Sequence, residues 1–172
     1  MKRIYEYIKI KIEKVLGIFD YDVEARKLIA KSLNYYNKGK IKKLISLRIY
    51  NKLMMEFNCS IPPYLEVGKN LYVAHPQGIL LGRTTIIGDN VKIYPYASTI
   101  AKVKEDDKLW SSGQRRHAKI GNNCTLGYGC KLIGPITLGD NFFVAAGAIV
   151  TKDVPADSIV KNVNEIKQID KE

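Results

Sequence analysis

Histidine is nearly absent from this chain: its 172 residues contain two, His75 and His117. Two imidazoles cannot supply a three-histidine zinc centre, and the three cysteines, Cys59, Cys124 and Cys130, have no zinc-binding spacing. No metal is expected. No apolar run approaches the ~18 residues of a membrane-spanning helix, and Met1-Lys2-Arg3 precedes no uninterrupted apolar core of a secretory signal. The expected location is the cytoplasm, which the low cysteine count also favours. A glycine-rich phosphate loop is missing too. What remains, with 46% hydrophobic and 26% charged residues, suits one soluble core domain with a small appendage.

The net charge of +11 is unevenly spread. Residues 1–60 carry 14 Lys+Arg against 6 Asp+Glu, a balance of +8, and the rest carries only +3. An anionic substrate, an acidic membrane surface and nucleic acid are the partners such a segment could attract. Its lysines fall at helix-face intervals without stacking aromatics, so no nucleic-acid module is indicated. A solvated basic face is the first reading, and weak association with a membrane surface or acidic polymer the second.

The chain is rich in one pattern, a six-residue beat. Ile120, Leu126, Leu132, Leu138, Val144 and Val150 are each aliphatic and six residues apart, with Cys124, Cys130, Ile136, Phe142 and Ala148 four residues behind the first five. Upstream the beat continues at Leu81, Ile87, Ile93 and Thr99, and further back at Ile61, Val67 and Val73. Three six-residue flats closing a triangular turn make an 18-residue coil, so stacking places Ile120 over Leu138, Leu126 over Val144 and Leu132 over Val150. Gly68-Lys69-Asn70, Gly88-Asp89-Asn90, Gly121-Asn122-Asn123 and Gly139-Asp140-Asn141 mark one corner, where Gly and Asn tolerate left-handed backbone and close approach.

The corner spacing also locates two interruptions. Gly121 to Gly139 is 18 residues, but Gly68 to Gly88 is 20 and Gly88 to Gly121 is 33. The two extra residues fall at His75-Pro76, and the fifteen extra lie between Thr99 and Ile120, ending near Arg116-His117. Both histidines therefore stand where the repeat breaks, and a solenoid hosts insertions where it does more than stack. Residues 102–117 form a charged, aperiodic loop carrying the single tryptophan, Trp110, either a packing anchor or an aromatic platform for a ligand.

Residues 1–58 lack the beat and read as an N-terminal helical segment. Asp20 or Asp22 can cap a helix over 23–37, a second spans about 40–56, and residues 3–16 read as helix with a competing strand-like alternation. Pro62-Pro63 marks the passage into a β-prism over 59–161, and residues 162–172 read as a short helical tail.

Three segments carry a family resemblance. Leu71-Tyr72-Val73-Ala74-His75-Pro76-Gln77-Gly78-Ile79, Arg115-Arg116-His117-Ala118-Lys119-Ile120-Gly121 and the coil from Val144 to Pro155 resemble the hexapeptide-repeat acyltransferase family, in its branch of serine acetyltransferases and sugar and polysaccharide O-acetyltransferases. The resemblance covers about residues 45–165. It implies a mostly β fold, a left-handed parallel β-helix of about four to five coils, whose homotrimer places active sites between subunits. It further implies acetyl-CoA as co-substrate and His75 as the base that deprotonates a hydroxyl, a task suited to an imidazole. His117 would be the second active-site histidine. Arg116, Trp110 and the position of Ala74 would face the acceptor. Backbone groups at Ala101, Tyr128 and Ala146 would hold the pantetheine arm, with Lys152 and Lys161 at the nucleotide phosphates.

The departures from that pattern bear on the acceptor. Serine acetyltransferases have Asp where Ala74 stands, and a second Asp, which orients the base, where Ser60 stands. The first helps receive an amino group, so its loss points to a hydroxyl on a sugar or surface polysaccharide. Serine O-acetylation is the alternative, and a non-catalytic trimeric scaffold binding an anionic partner is the third reading. What orients His75 is left open among a main-chain carbonyl, a carboxylate elsewhere and a neighbouring subunit.

Overall fold

The computed structural model describes residues 20–102 and 114–161. The expected helices over 3–16 and 162–171, and most of the 102–117 loop including Trp110, lie outside the described residues. Two helices come first, α1 (Tyr21–Tyr36) and α2 (Lys40–Phe57). Thirteen short strands follow among the described residues: β1 (Glu66–Val67), β2 (Tyr72–Val73), β3 (Leu80–Leu81), β4 (Ile86–Ile87), β5 (Lys92–Ile93), β6 (Ser98–Ile100), β7 (Lys119–Ile120), β8 (Thr125–Leu126), β9 (Lys131–Ile133), β10 (Thr137–Leu138), β11 (Phe143–Val144), β12 (Ile149–Val150) and β13 (Ile159–Val160). All pair in parallel, in steps of three strands except that β11 pairs with β13, giving three sheets ordered β1-β4-β7-β10, β2-β5-β8-β11-β13 and β3-β6-β9-β12. This is a left-handed parallel β-helix with four full coils and the start of a fifth. The three sheets are called here the first, second and third faces.

The register is the one the beat dictates. Leu138 pairs with Ile120, Val144 with Leu126 and Val150 with Leu132. The 33-residue step places Ile87 on Ile120 and Ile93 on Leu126. Each inward aliphatic is buried, and such a rung contributes roughly 1.5–3 kcal/mol of hydrophobic stabilisation. The three cysteines sit in this interior, and burial pushes the thiols of Cys59 and Cys130 up to about 12. They act as small apolar fillers.

The Gly-x-Asn corner divides two duties between two residue types. Asn70, Asn90, Asn123, Asn141 and, in the last coil, Asp157 take the left-handed backbone, with φ between 54° and 57°. Their side chains form a ladder: Asn70 donates to Asn90 at 2.9 Å, Asn90 to Asn123 at 2.9 Å, Asn123 to Asn141 at 3.0 Å and Asn141 to Asp157 at 2.9 Å. The glycines serve close stacking instead; a Cβ on Gly88 would lie 2.7 Å from the carbonyl of Gly121.

The helices form an antiparallel hairpin joined at Gly39, whose φ of 93° suits glycine. Buried Ser32 and Ser46 stitch them, each hydroxyl donating to the other's carbonyl, at 3.0 and 2.8 Å. Ala25, Ile29, Ile49, Leu53 and Phe57 share one core with Ile61, Leu65 and Val73 of the first coil. The hairpin is thereby fixed on the prism, which lets α1 reach the corner that carries His75.

Candidate active site

His75 lies between β2 and β3, at the edge joining the second and third faces, where two residues exceed the regular coil. Its backbone is left-handed, φ 40°, a conformation uncommon outside glycine and one in which histidine is found more often than most residues. Pro76 is buried behind it, and the Gln77 N–H donates to the His75 carbonyl at 2.6 Å, closing a tight turn. That turn throws the imidazole outward, 72% exposed.

A carboxylate meets the ring from 53 residues earlier. Asp20 caps α1, accepting the Val23 N–H at 3.0 Å, and leaves Asp22 free to pair with His75 Nδ1. Asp22 is more enclosed than its partner, 26% exposed. An ionised carboxylate only accepts, so Nδ1 carries the proton and the Nε2 lone pair faces outward. This answers the question of what orients His75. Ser60 does not: its hydroxyl bonds Tyr50 Oη at 3.0 Å.

His117 occupies the opposite edge, joining the third and first faces, just before β7 (Lys119–Ile120). Its ring lies over Gly82, where a Cβ would collide with Cδ2 and Nε2. Nδ1 is 2.8 Å from Thr84 Oγ1, and the same oxygen accepts the N–H of Arg116 at 2.8 Å and of His117 at 3.2 Å. Burial lowers the His117 pKa below the ordinary imidazole value, and the neighbouring Arg116 lowers it further. Both influences favour the neutral ring. Arg115 is engaged elsewhere, donating to the carbonyls of His117, Pro135 and Ile136 at 2.7–2.9 Å.

Beside His117 opens a cavity of about 580 Å³, lined also by Arg83, Arg116, Tyr50, Ser60 and Ala101. Arg83 stands 5.7 Å from the Tyr64 ring centre. Among the described residues, every ionisable side chain on this wall is a base or a phenol, which suits an anionic or hydroxyl-bearing ligand. Sequence reasoning missed Asp22, Thr84 and Arg83 as site residues.

The candidate residues divide between the two edges. Coil register stacks His75 with Pro95, Tyr128 and Ala146 along one, where the Tyr96 and Tyr128 rings stand 5.3 Å apart. Ala74 is buried there, its N–H bonded to the Ile93 carbonyl at 2.9 Å, and exposed Lys161 follows β13. Ala101, Arg116, His117 and exposed Lys152 lie along the other. A six-residue flat separates the edges by ~20 Å, at about 3.3 Å per residue. The two histidines therefore stand on different edges of one prism.

With this geometry in hand, the hexapeptide repeat of succinyl-transferase matches residues 117–152. A serine acetyltransferase from Staphylococcus aureus is 33% identical over 137 residues, 79% of this chain and 59% of the relative. The chain belongs to the hexapeptide-repeat acyltransferase family. The serine acetyltransferase of Neisseria gonorrhoeae, solved in complex with serine, is 25% identical and superposes with a TM-score of 0.66 over 83% of this chain and 54% of that one. A serine acetyltransferase solved in complex with CoA shares the fold, with a TM-score of 0.61 at 23% identity over 78% of this chain and 52% of that one. The hexapeptide-repeat chain spans about a third to three-fifths of the length of the curated relatives it matches.

These relatives overturn the expectation of a sugar or surface-polysaccharide acceptor, since they are serine acetyltransferases. That expectation rested on the missing carboxylate at Ala74, while the missing one at Ser60 left open what orients His75. The structure shows that the second loss is made good from another element, because Asp22 of α1 supplies the carboxylate at His75.

Proposed function

We propose that this chain transfers acetyl from acetyl-CoA to the hydroxyl of serine, with His75 as general base. The observation that carries the reading is the Asp22–His75 pair on an exposed corner of a chain related to serine acetyltransferases. A serine hydroxyl is a poor nucleophile at neutral pH and needs its proton removed as the new bond forms. His75 Nε2 takes that proton while the hydroxyl oxygen attacks the thioester carbonyl. Asp22 holds the ring and stabilises the imidazolium. When the C–S bond breaks, the proton passes from the imidazolium to the departing sulfur, leaving free coenzyme A and O-acetylserine.

The other half of the site comes from a neighbouring prism in a homotrimer. One observation supports this: the imidazoles sit on opposite edges of one face, and a three-fold arrangement would appose unlike edges of adjacent prisms. His117 and Arg116 then face the acceptor and the carbonyl oxygen across the groove from His75. Backbone groups at Ala101, Tyr128 and Ala146 contact the pantetheine arm, and Lys152 and Lys161 meet the phosphates.

Thiol release from acetyl-CoA, followed while L-serine is titrated, tests the proposal. Release is expected to rise with L-serine and saturate; release indifferent to L-serine overturns it.

A further inference from the structure

We propose that Thr84 fixes His117 as its Nε2–H tautomer, so that the two histidines hold their protons on opposite nitrogens and only His75 can act as base. The role assigned to His117 rests on the proposed acetyl transfer; the tautomer itself rests on geometry alone.

A threonine hydroxyl has one proton and two lone pairs. Thr84 Oγ1 accepts two backbone N–H groups, from Arg116 at 2.8 Å and His117 at 3.2 Å, which occupy both lone pairs. Its third contact, 2.8 Å from His117 Nδ1, therefore uses its own proton, with Thr84 donating. The Thr84 N–H also points at Nδ1, at 3.4 Å. Two donors facing one ring nitrogen leave Nδ1 only the acceptor role, and the ring proton sits on Nε2.

The surroundings hold this state. Gly82 leaves the space the ring occupies, and its N–H is anchored on buried Thr99 Oγ1 at 2.8 Å, which pairs with Thr85 Oγ1 at 2.6 Å. Protonation of Nδ1 would put a donor against the Thr84 N–H, so the neutral ring is favoured. His117 thus offers the cavity a fixed N–H donor without net charge. Thr84 is a positioning residue, acting through His117.

With only two histidines in the chain, ring ¹⁵N NMR reads both tautomers directly, with no substrate present. Wild type is expected to show one ring protonated at Nδ1, assigned to His75, and one at Nε2, assigned to His117. Thr84→Val keeps side-chain volume and removes the hydroxyl; it should move His117 to a mixture of tautomers while the His75 signals stay, which also reports an intact fold. Thr84→Ser should restore the wild-type pattern. In the serine assay Thr84→Val should lower kcat/KM for L-serine about tenfold, the size of one lost hydrogen bond, and leave KM for acetyl-CoA unchanged. Finding His117 protonated at Nδ1 in wild type, or ring signals unchanged in Thr84→Val, overturns the inference. A failed serine assay with the Nε2–H tautomer present overturns the acetyl-transfer reading and leaves the tautomer standing.

Discussion

Asp22→Asn is expected to lower kcat for acetyl transfer by about 10²–10⁴-fold while leaving the fold and the KM for acetyl-CoA near wild type. The size follows from two losses at one atom. The carboxylate accepts the Nδ1 proton and so leaves Nε2 as the basic nitrogen; an amide can turn its NH₂ toward Nδ1 and favour the opposite tautomer. The amide also lacks the negative charge that stabilises the imidazolium formed in the transition state. Folding should survive because the cap of α1 belongs to Asp20 and the hairpin is held by Ala25, Ile29, Leu53 and Phe57. Steady-state kinetics with circular dichroism as the folding control makes the comparison. A kcat within about threefold of wild type would remove Asp22 from the mechanism, since even modest general-base assistance exceeds that.

Leu126→Ala should be the most damaging single truncation for stability, by roughly 2–5 kcal/mol. Leu126 is fully buried on the second face, between Ile93 of the coil before and Val144 of the coil after. The coils above and below are tied by backbone bonds every few residues, so they cannot close onto the vacated space. In a repeat fold a weakened rung also uncouples its two neighbours. Urea unfolding at fixed protein concentration should show a lower midpoint with an unchanged m-value. Lys119→Ala, on an outward position, serves as comparison and should shift stability by less than about 0.5 kcal/mol.

The prism was legible because its physics is periodic. An inward aliphatic every six residues fixes the flat, the Gly-x-Asn corner fixes the phase, and together they gave the pairing of Ile120 with Leu138 and the positions of both insertions. Asp22 was not legible as a site residue. Nothing in the local pattern separates it from Asp20, since either can cap α1, and its partner lies 53 residues away across an aperiodic junction. Thr84 is a different case. The 33-residue step that stacks Ile87 on Ile120 also stacks Thr84 on His117, so the signal was present in the spacing. The acceptor was misread because one substitution beside the base, Ala74, was taken to decide it, and the carboxylate that orients His75 was not foreseen because it comes from α1 instead of the position of Ser60.

The wall of the cavity beside His117 follows the same logic of supply from afar. Tyr50 from α2 and Arg83 from the corner after β3 join Arg116 and His117 around one cavity, although only the last two share a motif. A residue's place in the coil column, more than its neighbours in sequence, decides which edge of the prism it reaches.

The most direct test of the central claim is the initial rate of coenzyme A release with saturating L-serine, compared between wild type and His75→Ala. The account predicts serine-dependent release that falls by about 10²–10⁴-fold in the variant. Serine-dependent release at the wild-type rate in His75→Ala would contradict it.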